Sequence, residues 1–149
     1  MNNLKTLTHP KGIRMCLHMN LKYSTGFLIA SLIQAGIVMA TEFLGISSLG
    51  AKLTAMQLIT HIIVGQIIGY IILYIIRKSN AFSTTNTWAI GSITGFIAWL
   101  ILLSINSAIG KVNAPWTQGF PTVLSTLIAF IVFGIIATYT IKRYGYKET

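Results

Sequence analysis

Acidic side chains are almost absent from this sequence of 149 residues. It contains no aspartate, and its two glutamates are Glu42 and Glu148. A paired-carboxylate acid/base site, or a magnesium–phosphate site built from carboxylates, is therefore excluded. The sequence also lacks the HExxH, GxSxG, Walker and dinucleotide-binding glycine motifs. These absences exclude most hydrolase and transferase chemistry, and we expect a protein that is not an enzyme and needs no cofactor.

Cysteine is nearly absent as well, because Cys16 is the only one. An intramolecular disulfide and a CxxC redox motif are therefore excluded. Cys16 could be combined with His9 and His18 as metal ligands, but the set lacks the paired spacing of a zinc site. We expect a reduced thiol on the cytoplasmic side and no metal.

Charge of either sign is scarce, since charged residues make up 9% of the chain, against 54% hydrophobic residues and a mean hydropathy of +0.72. Soluble domains carry about 25% charged residues. The apolar runs are each long enough to cross a hydrocarbon core of about 30 Å. They predict helices over about 25–47, 54–78, 87–109 and 121–141. The expected fold is an all-α integral membrane protein, a four-transmembrane-helix bundle occupying residues 25–145 as one domain.

The net charge of +9 is concentrated at the ends of these runs. Most of the basic residues fall in the N-terminal segment, the middle loop and the tail, namely Lys5, Lys11, Arg14, Lys22, Arg77, Lys78, Lys142, Arg143 and Lys147. The positive-inside rule then places both termini in the cytoplasm, with 1–24 a basic segment and 146–149 a tail. This placement favours a bilayer with anionic inner-leaflet lipids over nucleic acid as partner. We expect a multi-pass protein of a bacterial plasma membrane.

The sequence does not decide whether the basic N-terminal segment 1–24 forms a strand or a helix. Apolar and polar residues alternate over 13–23, which is typical of a strand, while Ile13, Leu17 and Leu21 also fit one face of a helix. A cleaved signal peptide is a less favoured interpretation, because the following apolar region exceeds a signal core of 7–15 residues.

Glycines recur at a spacing of four in two of the predicted helices, as Gly65 with Gly69 and as Gly91 with Gly95. Small residues at this spacing allow helix backbones to approach closely, which favours association where lipid removes the hydrophobic driving force. The pattern favours packing within the bundle over a dimer face.

Glu42 and His61 are the ionisable side chains placed inside predicted membrane segments. Counted along the helices, Glu42 lies about 25 Å from the inner surface and His61 about 10 Å from the outer one. The two would then fall within about 5 Å in depth on antiparallel neighbours. An ionisable group in a membrane segment is a functional candidate, so we take them as a candidate intramembrane polar pair. The alternative is that Glu42 is hydrated and His61 merely bonds a neighbour.

Several short features resemble the YqhR family, small membrane proteins of Gram-positive bacteria. They are the basic leader, Thr41-Glu42 ending the first helix, Gly65 and Gly69 in the second, Trp88 opening the third, and Gly134 and Tyr139 in the fourth. The resemblance covers about residues 25–145 and implies no activity, since none is established for that family.

The sequence therefore predicts a non-enzymatic accessory or assembly subunit of a membrane complex, with a membrane-protein partner or a second copy of itself. The alternative is a small oligomeric transporter or channel that uses Glu42 and His61.

Overall fold

The computed structural model describes the backbone of residues 10–51, 54–78 and 86–145, and the side chains of 20–51, 54–78 and 86–145. These ranges contain four long helices, α1 (Pro10–Phe43), α2 (Ala55–Lys78), α3 (Thr87–Ala108) and α4 (Phe120–Gly145). A single 3-10 turn, Pro115–Thr117, precedes α4. Each helix contains a segment long and apolar enough to cross a membrane, judged by length and composition. The prediction of an all-α bundle of four membrane-spanning helices is confirmed.

The first helix begins earlier than predicted. It starts at Pro10 and not near residue 25, so the helical alternative is correct for the part of the leader that it covers and the strand alternative is wrong. Proline is well suited to a first helical turn. The membrane-spanning part of α1 is Asn20–Phe43. The tail 146–149, residue His9, and the side chains of Cys16 and His18 lie outside the described part.

Glycine ends both α1 and α3, because each helix is followed by a residue in the left-handed region. Gly45 has φ of 70° and Gly110 has φ of 70°. After α1, Ile46 N–H donates to the carbonyl of Thr41 at 2.9 Å, and the equivalent bond after α3 runs from Lys111 to Asn106 at 2.9 Å. This is the Schellman arrangement, which satisfies carbonyls at a helix end. It explains why α1 stops at Phe43, although the apolar run continues to residue 47.

Side-chain caps define the starts of α2 and α3. Thr54 and Gln57 form a capping box, in which Gln57 N–H donates to Thr54 Oγ1 at 3.3 Å and Thr54 N–H donates to Gln57 Oε1 at 3.1 Å. Asn86 caps α3 by accepting from Trp88 N–H at 3.1 Å. Each bond satisfies an amide that the first helical turn leaves without a partner.

The centre of the bundle is α4, which packs extensively against both α1 and α3. α2 packs mainly on α1 and contacts α4 less. The lateral order is therefore α2, α1, α4, α3. Small and hydroxyl side chains line the buried face of α4, including Ser125, Thr126, Ala129, Ala137 and Thr138. In this order α2 and α3 form the two outer walls of a cleft whose floor is α1 and α4.

The glycine pairs lie at helix–helix contacts inside the bundle. A Cβ at Gly65 would meet the hydroxyl of Ser31 on α1, and one at Gly69 would overlap the ring of Phe27. The pair on α3, Gly91 with Gly95, faces α4 in the same way and meets main-chain atoms of 130–135. Both pairs thus permit close approach of neighbouring helices of the same chain.

Candidate functional site: a cleft between α2 and α3

A cleft of about 400 Å³ opens between α2 and α3 in the half of the bundle that contains the start of α2 and the end of α3. Most of its lining is apolar, with Val38, Ile68, Ala98, Leu102 and Phe133 contributed by all four helices. Six polar or charged side chains also line it, and they are Gln34, Gln57, Thr60, His61, Asn106 and Lys111. The cleft therefore combines an apolar body with a few polar groups, which is the composition of small-molecule sites.

His61 is held in the cleft by α1. Its Nε2 lies 3.2 Å from the main-chain carbonyl oxygen of Ser31. Because a carbonyl only accepts, Nε2 must carry the proton and donate. In the neutral ring, Nδ1 is then a hydrogen-bond acceptor available to the cleft.

Gln34 is the most unusual side chain of the site. It lies one turn beyond Ser31 on α1, is only 3% exposed, and lines the cleft. Within the described residues its amide makes no hydrogen bond. Gln34 therefore presents an unused donor and acceptor to the cleft.

The remaining polar groups are already bonded or lie at the mouth. Asn106 donates through Nδ2 to the carbonyl of Leu102 at 2.8 Å, Thr60 Oγ1 donates to the carbonyl of Met56 at 2.9 Å, and Gln57 takes part in the capping box. Lys111 is exposed, just beyond the end of α3. Gln34 and His61 are thus the polar groups deeper in the cleft, roughly 10 Å from the near helix ends.

Glu42 has a different position and does not line the cleft. Its Oε1 accepts a hydrogen bond from the N–H of Gly50 at 2.6 Å. The segment 47–51 folds back over this end of the bundle, where Ser48 N–H donates to Thr122 Oγ1 at 3.1 Å and Leu49 is buried against Leu103 and Phe130. Glu42 therefore fixes the returning loop, with Gly50 supplying a φ of 71°.

The structure does not bring Glu42 and His61 together. His61 bonds at Ser31, and Glu42 lies eleven residues further along α1, a rise of about 16 Å. The depth estimate from the sequence is wrong because it places the ends of α1 and α2 at one level. His61 is level with Ser31, and Ala55, the first residue of α2, lies six residues before His61. Because the two helices are antiparallel, Ala55 is level with about residue 37 of α1. The end of α1 projects about 9 Å beyond α2.

Sequence reasoning missed Gln34 as a site residue. The signal was present, since Gln34 is a lone amide in an otherwise apolar stretch of a membrane helix, and such polar residues usually face a helix partner or a cavity. Which of these it faces depends on the order of the helices, and that order follows from the central position of α4, which the sequence does not reveal.

Comparisons with protein-family models, curated proteins and solved structures were made for this chain. None of the three finds a match. The resemblance to the YqhR family stays a prediction. The cleft and its side chains are accordingly interpreted from their geometry.

Proposed function

We propose that this multi-pass membrane protein binds an amphiphile in the cleft between α2 and α3, without catalysing a reaction on it. The amphiphile is a small molecule with an apolar body and a neutral hydrogen-bonding group such as a hydroxyl or an amide. The observation that carries the proposal is the amide of Gln34, a residue 3% exposed overall, which has no partner among the described residues and borders a largely apolar cleft.

The size of the cleft is that of a small-molecule site. Along α2 the lining runs from Met56 to Ile68, about 18 Å. The cleft holds about 400 Å³, which lies within the range of small-molecule sites, about 300–1000 Å³.

The polar groups define the chemistry of the ligand. Gln34 can donate and accept, and neutral His61 offers Nδ1 as an acceptor. No carboxylate lines the described cleft. A neutral group that both donates and accepts would satisfy the two side chains together, while the aliphatic lining would contact the apolar body. If the molecule is carried across the membrane, the binding site is Gln34 with His61, and not Glu42 with His61.

The experiment measures binding of a neutral long-chain alcohol carrying a dansyl fluorophore to the full chain in lipid nanodiscs. We expect Gln34→Met to weaken binding about fivefold, because one neutral hydrogen bond contributes about 1 kcal/mol. Without ligand, the same variant should be at least as stable as the wild type, because the Gln34 amide makes no hydrogen bond within the described residues. Weaker folding with unchanged binding would make Gln34 a structural residue and contradict the proposal.

Neighbouring positions on α3 give a matched control. Leu102 lines the cleft, whereas Ile101 is 54% exposed and does not. Leu102→Trp should fill the cleft and abolish binding, and Ile101→Trp should leave it intact. Equal binding by the two variants would place the probe elsewhere.

The accessory-subunit role predicted from the sequence is a second candidate that the same preparations test. A partner whose side chains enter the cleft would co-purify in mild detergent in a fixed ratio, and Leu102→Trp would release it. Organic extraction and mass spectrometry of the wild type would instead yield a small amphiphile under the first proposal.

A further inference from the structure

A second groove of about 350 Å³ lies between α1 and α4, at the end of the bundle opposite the cleft. Lys22 and Arg143 line its mouth together with Tyr144. Lys22 Nζ lies 5.5 Å from the centroid of the Tyr144 ring, and Arg143 Cζ lies 6.0 Å from the same centroid. Two cations from different helices therefore converge on one ring. Their mutual repulsion would be relieved by an anion between them.

No carboxylate of the described residues can supply that anion. Glu42 is the only acidic residue in the described part, and it lies twenty residues from Lys22 along α1, about 30 Å away. Hydroxyl groups of Thr25 and Tyr139 also line the groove. Thr25 Oγ1 already donates its proton to the carbonyl of Leu21 at 2.8 Å and does not donate it to an anion as well, so the two cations remain the principal ligands.

Below the cations the groove becomes apolar. Ile29 and Ile136 line it about 10 Å deeper in the bundle, since each lies seven residues from Lys22 or Arg143. Its floor is closed where Gly26 of α1 packs against Thr140 of α4, because a Cβ at Gly26 would collide with the Thr140 side chain. A cationic mouth at the ends of the membrane-spanning segments, above an apolar slot exposed on the side of the bundle, matches the polarity of a phospholipid.

We infer that this groove is a specific site for an anionic phospholipid. The phosphodiester lies between Lys22 and Arg143, and an acyl chain lies along Ile29 and Ile136. Basic pockets between membrane helices bind anionic headgroups in this way. Tyr144 orients both cations toward the headgroup through its ring face. The site is separate from the amphiphile cleft, so either proposal can fail without the other.

Native mass spectrometry of the delipidated full chain tests this site, with added 1-palmitoyl-2-oleoyl-phosphatidylglycerol or the corresponding phosphatidylcholine. The wild type should bind phosphatidylglycerol more tightly than phosphatidylcholine, with one tightly bound phosphatidylglycerol molecule for each chain. Lys22→Gln with Arg143→Gln should lower that affinity about 30-fold, because each basic residue contributes roughly fivefold. If this double variant is not monodisperse, each single variant should lose about fivefold.

The matched control removes the same charge at the same end of the bundle. Arg77 and Lys78 end α2 and do not line the groove. Arg77→Gln with Lys78→Gln should therefore keep the lipid preference. An equal loss in both double variants would indicate general attraction of basic helix ends to anionic lipid and overturn the site. Displacement of the lipid by millimolar inorganic phosphate would also overturn it, because the acyl chain would then contribute nothing.

Discussion

Nε2 of His61 on α2 lies 3.2 Å from the carbonyl oxygen of Ser31 on α1. Gly65, one turn further along α2, packs on the hydroxyl of the same serine. Further along the same contact, Gln66 Nε2 donates to the carbonyl of Ser24 at 2.9 Å and Tyr70 Oη donates to that of Asn20 at 3.3 Å. Hydrogen bonds between helices and small residues are the two devices that join helices in lipid. Together they fix α2 to α1 and so position His61 beside the cleft.

The glycine contact predicts a sharp difference between two alanine variants. A Cβ at Gly69 would overlap the buried ring of Phe27, whereas a Cβ at Gly36 on α1 has nothing within 4 Å. Gly69→Ala should lower the free energy of unfolding by about 1–3 kcal/mol. Gly36→Ala should be neutral or stabilising by up to about 1 kcal/mol, since alanine is the better helix former. Titration with a denaturing detergent measures both. Equal stabilities would mean that Gly69 faces lipid.

The membrane orientation is a prediction from charge, with the basic helix ends in the cytoplasm. In a Cys16→Ser background, Lys78→Cys at the end of α2 should be protected from an impermeant thiol reagent in intact cells. Gln118→Cys, an exposed position in the loop before α4, should react. Labelling at 78 but not at 118 would reverse the orientation, and detergent-permeabilised cells control for reactivity at both positions.

Local signals in the sequence predict the helices well, because each of them depends on a few neighbouring residues. Apolar runs locate α2, α3 and α4 within a few residues, and the Thr-x-x-Gln pattern of Thr54 and Gln57 marks the start of α2. The stop at Gly45 could have been predicted from glycine after a helix, and it was missed because the apolar run continues. The lateral order of the helices depends on long-range packing on α4, and no local pattern contains it.

The position of α2 along α1 is the other property that local sequence patterns do not predict. The segment between α1 and α2 does not connect two helix ends at one level, because 47–51 turns back and is fixed by Glu42 at Gly50 and by Thr122 at Ser48. A turn of this kind shifts α2 along α1 and separates Glu42 from His61. Counting residues from an assumed membrane surface could not detect that shift.

Glu42 and His61 should consequently act independently in a double-mutant cycle. Glu42→Ala removes the acceptor of the Gly50 N–H, and His61→Ala removes the donor to Ser31, so each should cost about 1 kcal/mol of unfolding free energy. The effects of mutations more than about 7–10 Å apart on the free energy of unfolding add within about 0.5 kcal/mol, and these two residues are separated by about 16 Å along α1.

Ser24→Ala with Gln66→Leu supplies the contrasting cycle, because Ser24 Oγ donates to Gln66 Oε1 at 3.1 Å. That pair should show a coupling of about 0.5–3 kcal/mol. Coupling of comparable size between Glu42 and His61 would show that the two interact after all, and would return them to consideration as one site.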